Sequence, residues 1–189
     1  MPDDAILFLS SSMPIRWAET YLESWAKPRR VLSNRGVNGI DGVTSTAFGA
    51  AAGSGRPVLL ITGDIAFIHD AGGLFAARHA RRPVVILVLD NDGGGIFSHL
   101  PIARFSDLCE RLFSTPHGLS VPAIAGGFGL PADRIEDPSA VGEAVRAAFV
   151  RGESRVIAFP ADRGEVARMH EDAMARVRAA VGEVVSHGV

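Results

Sequence analysis

Short apolar runs alternate with longer segments of helical character along this 189-residue chain. Runs rich in Val, Ile, Leu and Phe are typical of strands buried on both faces, and they occur at positions 5–9, 31–32, 58–62, 84–89 and 156–159. Helices are predicted between them at positions 15–25, 43–52, 107–113, 121–128 and 139–150, the first ending at Lys27-Pro28. The alternation predicts an α/β fold: an open parallel sheet with helices on both faces.

The C-terminal segment is predicted to be a final helix. Apolar residues recur at helical spacing over positions 166–185, between charged residues such as Arg168 and Arg176. Core packing or a subunit contact explains this pattern better than a functional surface does. The length of the chain fits a single domain, so we expect residues 1–189 to form one unit.

Polar residues follow two of the predicted strands. Asp64 comes after the run at 58–62, and Asn91 comes 27 positions later, after the run at 84–89. The intervening crossover should make these strands parallel, and if they are neighbours both side chains emerge at the carboxyl edge, where open α/β sheets bind ligands. Mg²⁺ prefers oxygen ligands and usually takes only one or two carboxylates. The pair therefore predicts a magnesium site, although each half alone also suits an ordinary strand-to-helix turn.

Composition and charge exclude several other classes of function. With 19 basic and 21 acidic residues the net charge is −2, which does not favour binding to nucleic acid or to an anionic membrane surface. No apolar run approaches the ~20 residues of a membrane span. The single Cys109 cannot form an internal disulfide and suits the cytoplasm. The six histidines have no zinc-binding spacing, so we interpret them as surface or structural residues.

Gly63-Asp64 followed by Asn91 resembles the signature of thiamine-diphosphate enzymes. The common form of the second half is Asn-Asn, whereas this chain has Asp90-Asn91, a departure that keeps the ligand position. Further blocks narrow the resemblance to the menaquinone-pathway synthases that make 2-succinyl-5-enolpyruvyl-6-hydroxy-3-cyclohexene-1-carboxylate. They lie at positions 11–16, 33–42, 94–98, 104–107 and 115–117, so the resemblance extends to about position 159.

This resemblance implies a diphosphate-type domain that binds thiamine diphosphate and Mg²⁺, with Asp64, Asn91 and the Gly93 carbonyl as cation ligands. It implies cofactor contacts from Ser12, Ile40, Gly63, Asp64, Asn91, Gly93, Gly94, Ile96 and Phe97, and substrate contacts from Arg16, Arg35, Phe97 and Leu100. The large Ile40 side chain is expected to lie under the cofactor and to bend it. Core packing is the competing explanation for the apolar residues, and solvated surface charge is the competing explanation for the two arginines.

The activity implied by the resemblance is that of a transferase. Such enzymes decarboxylate 2-oxoglutarate and add the resulting succinyl carbanion equivalent to isochorismate, and they work as homo-oligomers, either dimers or tetramers. Nothing in this chain resembles the family's pyrimidine-binding and central domains, the first of which carries the glutamate that activates the aminopyrimidine ring. We therefore expect no catalytic residue in this chain, no activity from it alone, and the pyrimidine-binding domain as its partner.

Two alternatives to the synthase half-site stay open. The first is the second chain of a split thiamine-diphosphate 2-oxoacid decarboxylase, against which the blocks at 11–16 and 33–42 argue. The second is a non-catalytic module that binds the cofactor without turnover.

Overall fold

The sheet consists of six parallel strands in a computed structural model that describes residues 1–22, 30–36 and 39–187. Its order is β2-β1-β3-β4-β6-β5, and every pairing is parallel. The strands are β1 (Ile6–Leu9), β2 (Val31–Leu32), β3 (Val58–Gly63), β4 (Val84–Asp90), β5 (Ala132–Arg134) and β6 (Arg155–Pro160). The predicted α/β fold with an open parallel sheet is confirmed.

Helical segments connect the strands. The α-helices are α1 (Met13–Tyr21), α2 (Val43–Ser54), α3 (Asp64–His69), α4 (Ser106–Cys109), α5 (Val121–Gly127), α6 (Pro138–Arg151) and α7 (Arg163–His187). Short 3-10 helices span Ala71–His79, Gly95–His99 and Pro101–Arg104, and a π-helix, Glu110–Ser114, directly follows α4. The first helix ends at Tyr21 and Leu22 is extended, so the prediction that it continues to Trp25 is wrong; Trp25 itself and the Lys27-Pro28 stop lie outside the described residues. Among the described helices, none is long and apolar enough to cross a bilayer.

Helices cover the sheet on both faces because the side chains of each strand point alternately to opposite sides. Phe8 and Leu60 belong to a buried cluster that includes residues of α2, α3 and α5. Their neighbours Leu7 and Leu59 belong to a second cluster, which includes Phe149 of α6. Full burial of such a side chain stabilises the fold by about 1.5–3 kcal/mol. The two clusters hold β1, β3 and β4 firmly, and these are the strands whose ends form the site.

The edge strand β5 and the start of the final helix were not predicted. The edge strand β5 has the sequence Ala-Asp-Arg, which contains no apolar run that would indicate a strand. Among the described strands it pairs only with β6. The final helix begins at Arg163, earlier than the apolar pattern that starts at position 166, because its first turn is polar.

The order of strands in the sheet reverses at β1. From β1 the chain moves to β2 on one side, and β3 then pairs with β1 on the other side. The segments that follow β1 and β3 therefore diverge and leave a crevice at the carboxyl edge of the sheet, which is where open α/β sheets bind ligands.

Candidate functional site

A cavity of about 240 Å³ lies in this crevice. Residues after β1, β3 and β4 form its walls, together with Trp17 of α1 and Ile40. All nine residues predicted to contact the cofactor line it: Ser12, Ile40, Gly63, Asp64, Asn91, Gly93, Gly94, Ile96 and Phe97. The fold thus brings four separate stretches of the sequence to one place.

Asp64 is the buried charge of the site, with 2% of its surface exposed. Its Oδ1 accepts a hydrogen bond from the Ile65 N–H at 2.7 Å, and its Oδ2 accepts from the N–H groups of Asn91 and Gly93 at 3.1 and 2.8 Å. A buried carboxylate needs such donors to replace water. Each oxygen has roughly two lone-pair positions, so Oδ1 retains capacity for a further partner.

Asn91 provides an open oxygen ligand. Its Oδ1 is buried and has no hydrogen-bond partner within the described residues, although buried amide oxygens are normally bonded. A Cβ at Gly95 would lie 2.4 Å from the Asn91 Nδ2, so only glycine lets the amide occupy this position. A carboxylate beside a neutral amide oxygen is a donor set that suits Mg²⁺. The residues present therefore fit a cation that binds a diphosphate.

The loop after β4 has a conformation that requires glycine. Gly93 has a φ of +141°, and a Cβ there would lie 2.3 Å from the carbonyl oxygen of Ser114. That carbonyl accepts the Gly94 N–H at 2.8 Å. The π-helix therefore packs directly on the glycine run and holds the loop against the cavity.

His117 also lies at the site, with 12% of its side chain exposed. Its Nδ1 accepts the Leu119 N–H at 3.0 Å, so Nε2 carries the hydrogen and donates to Asp64 Oδ2 at 3.2 Å. The spacing of the histidines predicted a surface or structural role for His117, whereas the structure places it against the candidate cation ligand Asp64. No local pattern indicated this contact, because 53 positions separate the two residues.

Asp90 completes a second group of possible ligands with Asp64 and His117, whose ligand atoms lie within 4.8 Å of one another. Burial raises the pKa of Asp90, and the charge of Asp64 raises it further, while Arg134 acts in the opposite direction. Arg134 Nη1 lies 3.2 Å from Asp90 Oδ2. Because the hydrogen on His117 Nε2 points to Asp64 and Asp90 is paired with Arg134, this arrangement suits a cation less well than Asp64 with Asn91.

Arg16, Arg35 and Leu100, predicted to contact the substrate, are exposed and do not line the described cavity. Arg16 Nη1 donates to the carbonyl oxygen of Ser12, a cavity residue, at 2.6 Å. Phe97, predicted to contact both cofactor and substrate, does line the cavity and packs edge-on against Phe113. The assignment of the arginines and Leu100 to substrate binding stays a prediction.

Comparison with known proteins agrees with this geometry. Residues 12–159 match the family model described as the thiamine pyrophosphate enzyme, C-terminal TPP binding domain. The chain therefore belongs to this family, and thiamine diphosphate is its cofactor.

Curated relatives narrow the similarity. The chain is 43% identical over 185 residues to 2-succinyl-5-enolpyruvyl-6-hydroxy-3-cyclohexene-1-carboxylate synthase of Myxococcus xanthus, covering 97% of this chain and 31% of that protein. It is 46% identical over 152 residues to the synthase of the same name from Chloroflexus aurantiacus, covering 80% of this chain and 26% of that protein. The chain thus spans less than a third of the length of these two relatives.

Solved structures support the fold. The crystal structure of benzoylformate decarboxylase from Polynucleobacter necessarius superposes with a TM-score of 0.66 at 18% identity, covering 86% of this chain and 31% of that one. At this identity the likeness concerns the fold alone.

Proposed function

We propose that this chain supplies the diphosphate- and magnesium-binding half of the active site of a transferase that decarboxylates 2-oxoglutarate and adds the succinyl group to isochorismate, a step of menaquinone biosynthesis. The observation that carries the proposal is the pairing of the buried Asp64 carboxylate with the unpartnered Asn91 Oδ1 beside an apolar cavity. The names of the curated relatives support the choice of reaction.

Three groups would hold the cation. Asp64 would supply the negative charge, Asn91 Oδ1 a neutral oxygen, and the Gly93 backbone carbonyl a third ligand, with the remaining positions left to water and diphosphate oxygens. Hydrogen bonds from the loop already orient Asp64, so ion binding would need little rearrangement of its carboxylate. Such a site binds the diphosphate only together with the ion, since Asp64 itself repels phosphate.

Apolar side chains would form the environment of the reacting groups. Thiamine diphosphate, when bound, supplies the carbon centre that stabilises the electron pair left when carbon dioxide departs. Ile40, Ile96 and Phe97 line the cavity and would exclude water from that centre. A carboxylate is destabilised where water is excluded, because it loses its hydration. Its departure as neutral carbon dioxide is therefore favoured there. Ile40 would in addition press on the cofactor from below and set its bend.

Substrate carboxylates would be bound by the exposed arginines. Both 2-oxoglutarate and isochorismate carry more than one carboxylate, and the planar guanidinium recognises such groups through paired hydrogen bonds. Arg16 is tied to the Ser12 carbonyl next to the cavity, which would keep its charge close to the site. Leu100, which is 45% exposed, would contact the substrate from the same side as Phe97.

The remainder of the site would come from another part of the protein. A cavity of about 240 Å³ is smaller than the ~300–1,000 Å³ typical of pockets that enclose a whole ligand. The relatives are more than three times as long as the segment matched here. We propose that residues 1–189 form the diphosphate domain, that a pyrimidine-binding domain carrying the activating glutamate completes the site, and that the enzyme works as a cytoplasmic homo-oligomer.

A product assay tests the reaction class. The chain, combined with a pyrimidine-binding domain of the same enzyme, is given thiamine diphosphate, Mg²⁺ and isochorismate with either 2-oxoglutarate, pyruvate or benzoylformate. Of the three oxoacids, we expect only 2-oxoglutarate to give carbon dioxide release and isochorismate consumption. Asp64→Asn, which removes the charge of the candidate cation ligand, should lose this turnover, whereas the exposed-carboxylate variant Asp107→Asn is the matched control and should keep it. Turnover of pyruvate or benzoylformate without turnover of 2-oxoglutarate would contradict the proposed substrate.

A further inference from the structure

Arg163, the first residue of α7, contacts the loop that follows β4. Its Nη1 donates to the carbonyl oxygen of Asn91 at 2.8 Å and also to the carbonyl oxygen of Asp92. Its Nη2 donates to the carboxylate of Glu110 in the π-helix. Only 15% of the Arg163 side chain is exposed, and its bond to the Asn91 carbonyl is partly buried.

The position of Arg163 follows from the order of the strands. β6 lies beside β4 with Pro160 opposite Asp90, and the Ala161 N–H donates to the Asp90 carbonyl at 2.9 Å. The residues after β6 therefore run alongside the loop after β4. Beyond Asp90, it is the guanidinium of Arg163 that bonds the next two carbonyls, and its five donors allow it to serve several acceptors at once.

Asp64 and Arg163 hold the loop from opposite sides. A trans peptide group points its C=O and its N–H in opposite directions. In the peptide group between Asp92 and Gly93, the carbonyl accepts from Arg163 while the N–H donates to Asp64 Oδ2 at 2.8 Å. In the peptide group between Asp90 and Asn91, the carbonyl accepts from Ala161 while the N–H donates to the same Oδ2 at 3.1 Å. The plane of each of these two peptide groups is therefore fixed by one hydrogen bond at its C=O and another at its N–H.

We infer that Arg163 is a positioning residue for the cation site, which orients the Asn91 side chain and the Gly93 backbone by bonding the Asn91 and Asp92 carbonyls. This inference rests on the proposed function of Asp64 and Asn91 as cation ligands. Arg163 lines a separate cavity of about 780 Å³, and it is not among the described residues around the smaller one. Its action on the cation site would therefore pass through the loop.

Its place in the chain makes this role unexpected. Arg163 lies beyond residues 12–159, the segment that matches the family model. The sequence pattern of the final helix indicated only core packing or a subunit contact. The structure adds that the first turn of α7 is bonded to the loop that contains the candidate cation ligands.

Binding and exchange measurements on the 189-residue chain test the inference. The probes are thiamine diphosphate with Mg²⁺ in calorimetry, and amide hydrogen exchange of Asn91 and Gly93 without any ligand. Arg163→Met should weaken Mg²⁺-dependent cofactor binding by about tenfold or more, the scale of a lost hydrogen bond from a charged donor, and should accelerate exchange of both amides. Arg168→Met, an exposed arginine of the same helix, is the matched control and should change neither.

Arg163→Lys distinguishes orientation from charge. Lysine keeps the positive charge but lacks the planar fork, so it should recover only part of the affinity that Arg163→Met loses. If circular dichroism shows that Arg163→Met is poorly folded, Arg163→Lys is the variant that tests the inference. Arg163→Met binding within about twofold of wild type would overturn the inference, since twofold is far below the scale of a charge-assisted bond. Failure of the proposed function would appear elsewhere, as wild-type binding that needs no cation and is unchanged in Asp64→Ala.

Discussion

The Asn91 N–H donates to Asp64 Oδ2 at 3.1 Å, although 27 positions separate the two residues. The bond exists because β3 and β4 pair in parallel with Gly63 opposite Leu89, so both chains leave the sheet at the same level. Asp64 thereby fixes the backbone from which the Asn91 side chain extends. The two candidate cation ligands are positioned by strand pairing before any ion binds, which lowers the cost of assembling the site.

Gly93→Ala should disrupt the site through the backbone alone. The added Cβ would lie 2.3 Å from the Ser114 carbonyl oxygen, and a φ of +141° strains any residue other than glycine. We expect a loss of about 1–3 kcal/mol in the free energy of unfolding, measured by urea denaturation. Gly126→Ala is the control, because nothing lies within 4 Å of its added Cβ and alanine favours the helix. Equal stability of the two variants would contradict this account.

Removal of the His117 donor should destabilise the fold around Asp64. His117→Phe keeps an aromatic ring but cannot donate to Asp64 Oδ2, which leaves a buried carboxylate with one donor fewer. The expected loss in the free energy of unfolding near neutral pH is about 1.5–3 kcal/mol. His79→Phe replaces an exposed histidine and should have little effect. If the two variants unfold at the same urea concentration, the His117 bond contributes nothing measurable.

The sequence was sufficient to predict the sheet and the central pair of the site, but not all of their surroundings. Asp64 and Asn91 could be placed together because parallel strands end at a common edge, and each follows a run of apolar residues. The strand β5 could not be predicted, since its three residues are held by pairing with β6 and not by an apolar pattern. The contacts of His117 and Arg163 arise from long-range folding, across 53 and 72 positions, and no local spacing encodes them.

The roles of Arg16 and Arg35 can be separated from cofactor binding. In an enzyme completed with its pyrimidine-binding domain, Arg16→Ala and Arg35→Ala should each reduce kcat/KM for a dicarboxylate substrate. The expected loss of transition-state stabilisation is about 1.5–3 kcal/mol, the value of a charge-assisted hydrogen bond. The Kd of thiamine diphosphate should change little, because neither side chain lines the described cofactor cavity. Measuring kcat/KM separately for 2-oxoglutarate and isochorismate shows which carboxylate each arginine binds. Wild-type efficiency for both substrates in both variants would return the arginines to the class of solvated surface charges.

The chain alone should not decarboxylate 2-oxoglutarate. A general acid or base must lie within hydrogen-bond reach of the group it serves, and the activating glutamate is expected on the pyrimidine-binding domain. Carbon dioxide release by the purified chain with Mg²⁺ and cofactor should equal that of cofactor without protein. Release should begin only after the pyrimidine-binding domain is added. Turnover by the chain alone would show that the half-site interpretation is wrong.

The most direct test of the central claim is calorimetry of thiamine diphosphate binding to the purified chain, with and without Mg²⁺, for the wild type and for Asp64→Ala. The variant removes the buried carboxylate that would charge the cation site, while Asp107→Ala removes an exposed one as a control. We predict that the wild type and the control bind the cofactor weakly and only when Mg²⁺ is present. Asp64→Ala should lose most of that binding. Binding that needs no cation, or that is unchanged in Asp64→Ala, would contradict the assignment of this site.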